Sequence, residues 1–139
     1  MTAEFRISSG LAEKMVQHCN EARPNEACGM LAAKAGEIVR VFRMANASRS
    51  PVRYSLEPSE QLAVYNLLDE QGWDLGGVFH SHTHTEAYPS PTDVDQAANP
   101  LLPTDRWVVV SLRPPAPSIR SYRIDGDAVT EEPIDVLPG

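Results

Sequence analysis

Gly76-Gly77-Val78-Phe79-His80-Ser81-His82 is the stretch from which the fold can be read. Its apolar part is short and continuous, as a strand covered on both faces requires, and it runs straight into two histidines. Arg106-Trp107-Val108-Val109-Val110-Ser111-Leu112 has the same character, so both segments are expected at the centre of a sheet. Working outward, Pro58 to Gln71 carries Leu62, Tyr65 and Leu68 on one helical stripe. Ala27 to Ala33 and Glu37 to Arg43 flank a turn containing Gly36, and the second segment alternates like a half-buried strand, which predicts a hairpin. Ser8 or Ser9 can cap a first helix bearing Leu11, Met15, Cys19 and Ala22, which Arg23-Pro24-Asn25 ends. A short apolar start, Phe5 to Ile7, precedes it.

The segment Asn46 to Leu56 is polar and irregular around Ser50-Pro51. Beyond the second core strand, Pro114-Pro115-Ala116-Pro117 breaks the chain before Ile119 to Ile124, and Asp125-Gly126 marks a hairpin into a last strand. Interleaved strands and helices with several hairpins give an α/β class, equally describable as α+β. One domain over residues 1–139 is expected, because a chain of this length buries about 68% of its unfolded surface without staples.

Apolar residues make up 42% and charged residues 22%, ordinary globular usage that leaves no basis for disorder. A formal charge of −7 opposes a nucleic-acid partner, since phosphate binding wants concentrated Lys and Arg, so a protein or small-molecule substrate is expected. The start Met1 to Arg6 lacks a basic segment followed by an apolar region, and no long apolar run occurs, so no membrane partner and a cytoplasmic address are expected. Cys19 and Cys28 are too few for a zinc knuckle and read as two buried, reduced thiols.

The chemistry gathers between positions 80 and 93. Residues i and i+2 of a strand share a face, so His80 and His82 aim at one spot. Ser90-Pro91-Thr92-Asp93 has the residue types of a helix start, with Ser at the cap, Pro at the first position and an acid at the third. A helix running through Val94, Ala97 and Ala98 would hold the Ser90 hydroxyl and the Asp93 carboxylate against the strand end. Two imidazoles and one carboxylate, at roughly 2.0 to 2.2 Å, are a ligand set for a catalytic zinc that keeps an open position for water. Hydrolysis then needs a base. Glu86 is near in sequence, but Glu26 is the better candidate because Glu26-Ala27-Cys28-Gly29 opens a strand of the same sheet.

His84 would join a three-histidine site only if the strand continued, and a loop position at the cleft rim is expected instead. His84-Thr85-Glu86 matches the H-x-E of zinc deaminases, but no P-C-x-x-C follows. Cys28 sits in an apolar strand and is given no catalytic role. His18 reads as a surface or partly buried side chain of the first helix. Arg40, Arg43, Arg49 and Arg53 fall in a stretch without acids and read as a solvated face, except that Arg49, beside Ser50-Pro51, could grip a substrate carboxylate with two hydrogen bonds.

Pro24-x-Glu26-Ala27-Cys28-Gly29-x-Leu31, followed by His80-x-His82-x7-Ser90-x2-Asp93, resembles the signature of the JAMM (MPN+) metalloprotease family at every position. The resemblance implies a curved mixed sheet flanked by helices, one zinc ion per chain on His80, His82 and Asp93, Glu26 as general base and acid, and Ser90 assisting the oxyanion. Asn46-Ala47-x-Arg49-Ser50-Pro51, His80-Ser81-His82-Thr83, Thr85-Glu86-Ala87-Tyr88-Pro89-Ser90 and Arg120-Ser121-Tyr122-Arg123-Ile124 look like the branch of small bacterial enzymes of the CysO-cysteine peptidase type. That branch implies hydrolysis of the amide between the C-terminal glycine of a ubiquitin-like sulfur carrier, ending in diglycine, and an appended cysteine. Arg49, Ser50 and Tyr88 are then the substrate-binding residues. The alternatives are a broader isopeptidase or carrier-tail protease of the same family, and a metal-free MPN scaffold. A homodimer is compatible with the sequence, which does not require one.

Overall fold

Hydrophobic runs long enough for only one pass through a core become the strands of a single sheet. The computed structural model describes residues 5–139, so the reading of Met1 to Glu4 lies outside the described residues. In chain order the elements are β1 (Phe5–Ser8), α1 (Ser9–Ala22), β2 (Cys28–Lys34), β3 (Glu37–Met44), α2 (Pro58–Gln71), β4 (Asp74–His82), α3 (Pro91–Ala97), β5 (Arg106–Ser111), β6 (Ser118–Asp125), β7 (Ala128–Glu132) and β8 (Ile134–Leu137). The strands form one mixed, curved sheet in the order β7-β6-β5-β4-β2-β3-β1-β8. β4 and β5, the two segments expected at the centre, lie side by side in parallel, with Val78 opposite Trp107 and His82 opposite Ser111.

Alternation along the central strands separates two cores. Val78, Trp107, Val109 and Met30 face α2 and α3, where Val64 and Leu68 close over them. Phe79, Val108, Val110 and Leu31 face α1, meeting Met15 and Cys19. By the same alternation His80 and His82 fall on the face of α2 and α3. The β2–β3 hairpin turns through Ala35 and Gly36, both at positive φ (52° and 80°). Gly29 is required by packing: a Cβ there would lie 2.1 Å from the Phe42 carbonyl oxygen and 2.4 Å from the Phe79 ring.

Several expectations need correction. Leu62 is 60% exposed, whereas Leu68 is buried as expected and Val64 takes the place given to Leu62. The buried pair falls on a face with Gln61 and Tyr65, because Gln61 and Tyr65 reach the Leu101 carbonyl on that side. β3 does not have one wet face: Ile38 and Val41 pack toward α1, while Val39 and Phe42 pack toward the other core. The expected last strand is β7, and the chain continues past Pro133 into β8, which crosses to the opposite edge and pairs in parallel with β1. The short apolar start is itself a strand, joined to β3 through Arg6 and Glu37.

The start of β5 carries a charge that the apolar reading of that strand passed over. Arg106 is buried, and Glu132 of β7 answers it: Arg106 donates through Nε to Oε2 at 3.0 Å and through Nη2 to Oε1 at 3.3 Å. Ser121 Oγ donates to Oε2 at 2.7 Å and Arg123 Nε to Oε1 at 3.2 Å, while Arg106 Nη1 donates to the Gly76 carbonyl at 3.1 Å. Among the described residues no helix is long and apolar enough to cross a membrane.

Candidate active site

β4 ends at His82, and its last two even-numbered side chains meet the first turn of α3. Ser90 is the N-cap of that helix, as its residue types predicted. Its Oγ accepts from the Asp93 N–H at 3.1 Å, and its own N–H donates to Asp93 Oδ2 at 2.8 Å, a complete capping box with Pro91 inside the first turn. The cap turns the Asp93 carboxylate toward the strand end. Asp93 Oδ2 lies 2.9 Å from His80 Nε2 and 3.0 Å from His82 Nε2, and the two Nε2 atoms are 3.2 Å apart.

These three residues are all buried, and among the described residues they are the group of ligating side chains that could hold a metal ion. A tetrahedral ion with bonds of about 2.0–2.2 Å separates its ligand atoms by roughly 3.3–3.6 Å, close to the spacing found here. The donor set of two imidazole nitrogens and one carboxylate oxygen suits zinc. His82 Nδ1 donates to the Glu86 carbonyl at 2.9 Å, which makes Nε2 the atom that faces the ion once it has given up its proton. Burial alone would raise the Asp93 pKa, but hydrogen bonds from His80, His82 and the Ser90 N–H hold it far below the usual carboxylate range. Burial lowers the His80 pKa against the pull of Asp93, whereas at His82 the effect of burial is outweighed by Asp93 and the Glu86 carbonyl, so its pKa rises.

Glu26 comes to the same place from the other side of the fold. It does not open β2, as expected, but lies just before it. Its N–H donates to the Ser50 carbonyl at 2.9 Å, and its carbonyl accepts from Asn46 Nδ2 at 3.0 Å. The next residue is tied to β4: Ala27 N–H donates to Ser81 Oγ at 2.8 Å, and Ser81 N–H to the Ala27 carbonyl at 3.0 Å. With Cys28 opposite His80 and Ala27 bonded to Ser81, the antiparallel register carries Glu26 to the level of His82. The side chain is 4% exposed, and its Oε1 has no hydrogen-bond partner. Burial pushes its pKa up to about 8, with smaller opposing effects from His82 and Asp93. A carboxyl whose pKa lies near neutrality can both take and return a proton.

The remaining expectations separate cleanly. His84 is exposed beyond the end of β4 and outside the ligand group, so the three-histidine arrangement does not form. Glu86 is exposed and contributes its carbonyl, not its carboxylate. Cys19 and Cys28 are buried free thiols with pKa values pushed up to about 12 by burial, inert as nucleophiles. His18 is half-buried, its Nε2 3.1 Å from the Cys28 and Met44 carbonyls. Arg49 is exposed at positive φ (46°) in the loop whose Ser50 carbonyl binds the Glu26 N–H. Tyr88 is exposed, its ring edge-on to Tyr122 at 5.4 Å, at the rim of a 440 Å³ cleft with Arg113 and Arg120.

Two residues of the polar segment 46–56 have structural roles beyond those expected of them. Asn46 organises the loop: Oδ1 accepts from the N–H groups of Ser48 and Ser55 at 3.0 and 3.1 Å, and Nδ2 donates to the carbonyls of Glu26 and Arg53, each at 3.0 Å. An Asn bonding the backbone two residues on is a turn signal that the sequence does carry. Tyr54 stacks on His80 with ring centroids 4.4 Å apart and an 18° interplanar angle. Nothing in the sequence pairs those two rings.

Residues 8–125 match the family described as prokaryotic homologs of the JAB domain. The CysO-cysteine peptidase of Mycobacterium tuberculosis (strain ATCC 25618 / H37Rv) is 43% identical over 134 residues, covering 94% of this chain and 90% of that protein. A desampylase of Haloferax volcanii is 26% identical over 106 residues, 71% of this chain and 76% of that protein. The solution structure of a protein from Desulfitobacterium hafniense has a TM-score of 0.85 and 34% identity, covering 97% of this chain and 94% of that one. The resemblance drawn from the motifs and the α/β fold expected with it are both borne out. The chain belongs to the prokaryotic JAB-domain family of JAMM/MPN metalloproteases and is a hydrolase.

Proposed function

We propose that this chain, read as one catalytic domain over residues 1–139, is a zinc-dependent peptidase for a ubiquitin-like sulfur carrier. It hydrolyses the amide between the carrier's C-terminal glycine and an appended cysteine. The observation that carries the reading is a buried carboxyl group, Glu26, with one oxygen unpartnered, held beside three convergent ligand atoms. The name of the M. tuberculosis relative, which shares most of the chain, supports the choice of substrate.

His80, His82 and Asp93 would hold the zinc. When bound, zinc supplies Lewis acidity, polarising the scissile carbonyl and making water a better nucleophile at neutral pH. Glu26 accepts the proton of the attacking water at Oε1 and delivers it to the departing amine nitrogen as the C–N bond breaks. The Ser90 hydroxyl is suited to the oxyanion: as a cap it uses an acceptor lone pair, and its O–H remains free to donate. No acyl-enzyme forms, since the thiol near the site, Cys28, is buried against the Ala45 carbonyl at 3.4 Å. Arg49 grips the α-carboxylate of the leaving cysteine, with Ser50 and Tyr88 lining the approach.

Incubating the purified protein with a diglycine-ending carrier bearing an added cysteine tests the reading. The carrier should lose the mass of one cysteine, and a chelator should stop the loss. No loss in any condition sinks the proposal, whereas cleavage of a lysine-linked conjugate at equal rate would establish the broader isopeptidase. For the clamp, Arg49→Ala should raise KM for the free C-terminal cysteine and leave that for its amide unchanged; an equal rise for both would remove Arg49 from that role.

A further inference from the structure

The two histidines of the site are held in different ways. A metal-binding imidazole ordinarily donates its second ring N–H to a carbonyl or carboxylate, and this bond sets both ring orientation and tautomer. His82 follows that pattern through the Glu86 carbonyl at 2.9 Å. His80 does not: its Nδ1 is buried and has no hydrogen-bond partner. What His80 has instead is the nearly parallel ring of Tyr54 at 4.4 Å.

Tyr54 is itself firmly placed. It is 1% exposed, its carbonyl accepts from Gln96 Nε2 of α3, and Asn46 bonds the residues on both sides, the Arg53 carbonyl and the Ser55 N–H. Asn46 also holds the Glu26 carbonyl, so one side chain sets both the platform under His80 and the backbone of the catalytic carboxylate. The Tyr54 hydroxyl, in contrast, is buried without a partner. A buried hydroxyl without a partner is a cost to the fold, so the hydroxyl is not what keeps this residue in place.

We propose that Tyr54 is a positioning residue for His80: its stacked ring, and not its hydroxyl, holds the imidazole with Nε2 turned toward Asp93. Flat-on packing opposes rotation of the imidazole out of its own plane, which is the work that the Nδ1 hydrogen bond performs at His82. The proposal rests on the reading of His80 as a zinc ligand.

The test compares Tyr54→Leu, Tyr54→Phe, His80→Ala and the unaltered protein, by zinc affinity against a competing chelator and by the visible spectrum of the cobalt-substituted protein. Tyr54→Leu should weaken zinc binding about 10- to 100-fold and shift the cobalt bands, and Tyr54→Phe should leave both unchanged. Zinc affinity and cobalt bands in Tyr54→Leu equal to those of the unaltered protein overturn the proposal. A loss in Tyr54→Phe as large as in Tyr54→Leu also overturns it, by assigning the role to the hydroxyl. If Tyr54→Leu does not fold, NMR of the unaltered protein and of Tyr54→Phe decides. His80 ring protons shifted upfield by the stacked ring support the proposal, and unshifted protons overturn it. Equal zinc affinity in the unaltered protein and His80→Ala defeats the ligand reading instead, which separates the two failures.

Discussion

At the start of β5, the buried residues Arg106, Glu132 and Ser121, with the partly exposed Arg123, form a circuit in which both oxygens of Glu132 are used, one by Arg106 and Ser121 and the other by the two arginines. At the C-terminal end of β4, Glu26 Oε1, His80 Nδ1 and the Tyr54 hydroxyl are buried without partners. The two regions are rooted in the adjacent central strands β5 and β4, and each places charged or polar groups out of water. A satisfied network makes structure, because each group lies lower in free energy where it is. An unsatisfied one stores binding capacity, and chemistry is built from groups that still have something to bind.

The largest effects test the open end. His80→Ala should lose zinc and all turnover. Glu26→Gln should keep zinc, measured by metal analysis of the purified protein, and lose about 100- to 10,000-fold in kcat. Retained turnover in Glu26→Gln would break the contrast, by showing that the unpartnered oxygen does no chemistry. At the closed end, Glu132→Ala leaves Arg106 buried without its counter-charge and should cost about 3–5 kcal/mol in urea unfolding, while kcat of the folded enzyme stays the same.

The pH dependence should run in opposite directions at the two ends. The Glu132 pKa is lowered: burial would raise it, but Arg106, Ser121 and Arg123 outweigh that. Its contribution to stability is therefore complete above the unfolded pKa near 4.3 and lost as pH falls through the lower folded value. The Glu26 pKa is raised to about 8 by burial. In chelator-treated protein its contribution is complete below the unfolded value and lost as pH rises through about 8. Unfolding curves of Glu132→Gln and Glu26→Gln against pH would show each slope removed separately. The smallest effect is expected from Arg120→Ala. The Arg120–Glu131 pair, 2.9 Å apart, lies on the two strands that complete the Arg106 circuit, but its side chains are 54% and 47% exposed. Urea unfolding should move by about 0–1 kcal/mol, and a larger change would mean that the closed circuit extends to the surface.

Legibility in the sequence tracked the range of the interaction. The His80/His82 pair, the Ser90–Asp93 cap, the β2–β3 turn and the central place of β4 and β5 are local patterns, set by strand periodicity, capping chemistry and apolar run length. Leu62 was misplaced on α2 because Tyr65 and Leu68 fit helical spacing with either Leu62 or Val64, and only the packing against the sheet selects Val64. The charge of Arg106 was absorbed into an apolar reading, since its partner lies in a strand far along the chain.

The chain alone therefore determined which groups this enzyme has and how its helices and central strands form, because those depend on neighbours within a few residues. Tertiary structure decided the rest: which carboxyl meets the ligand atoms, how the loop bound by Asn46 carries Glu26 and Tyr54 to His80, and where β8 pairs. These outcomes depend on contacts between residues distant in sequence, where burial removes water and makes each partner, or the lack of one, count.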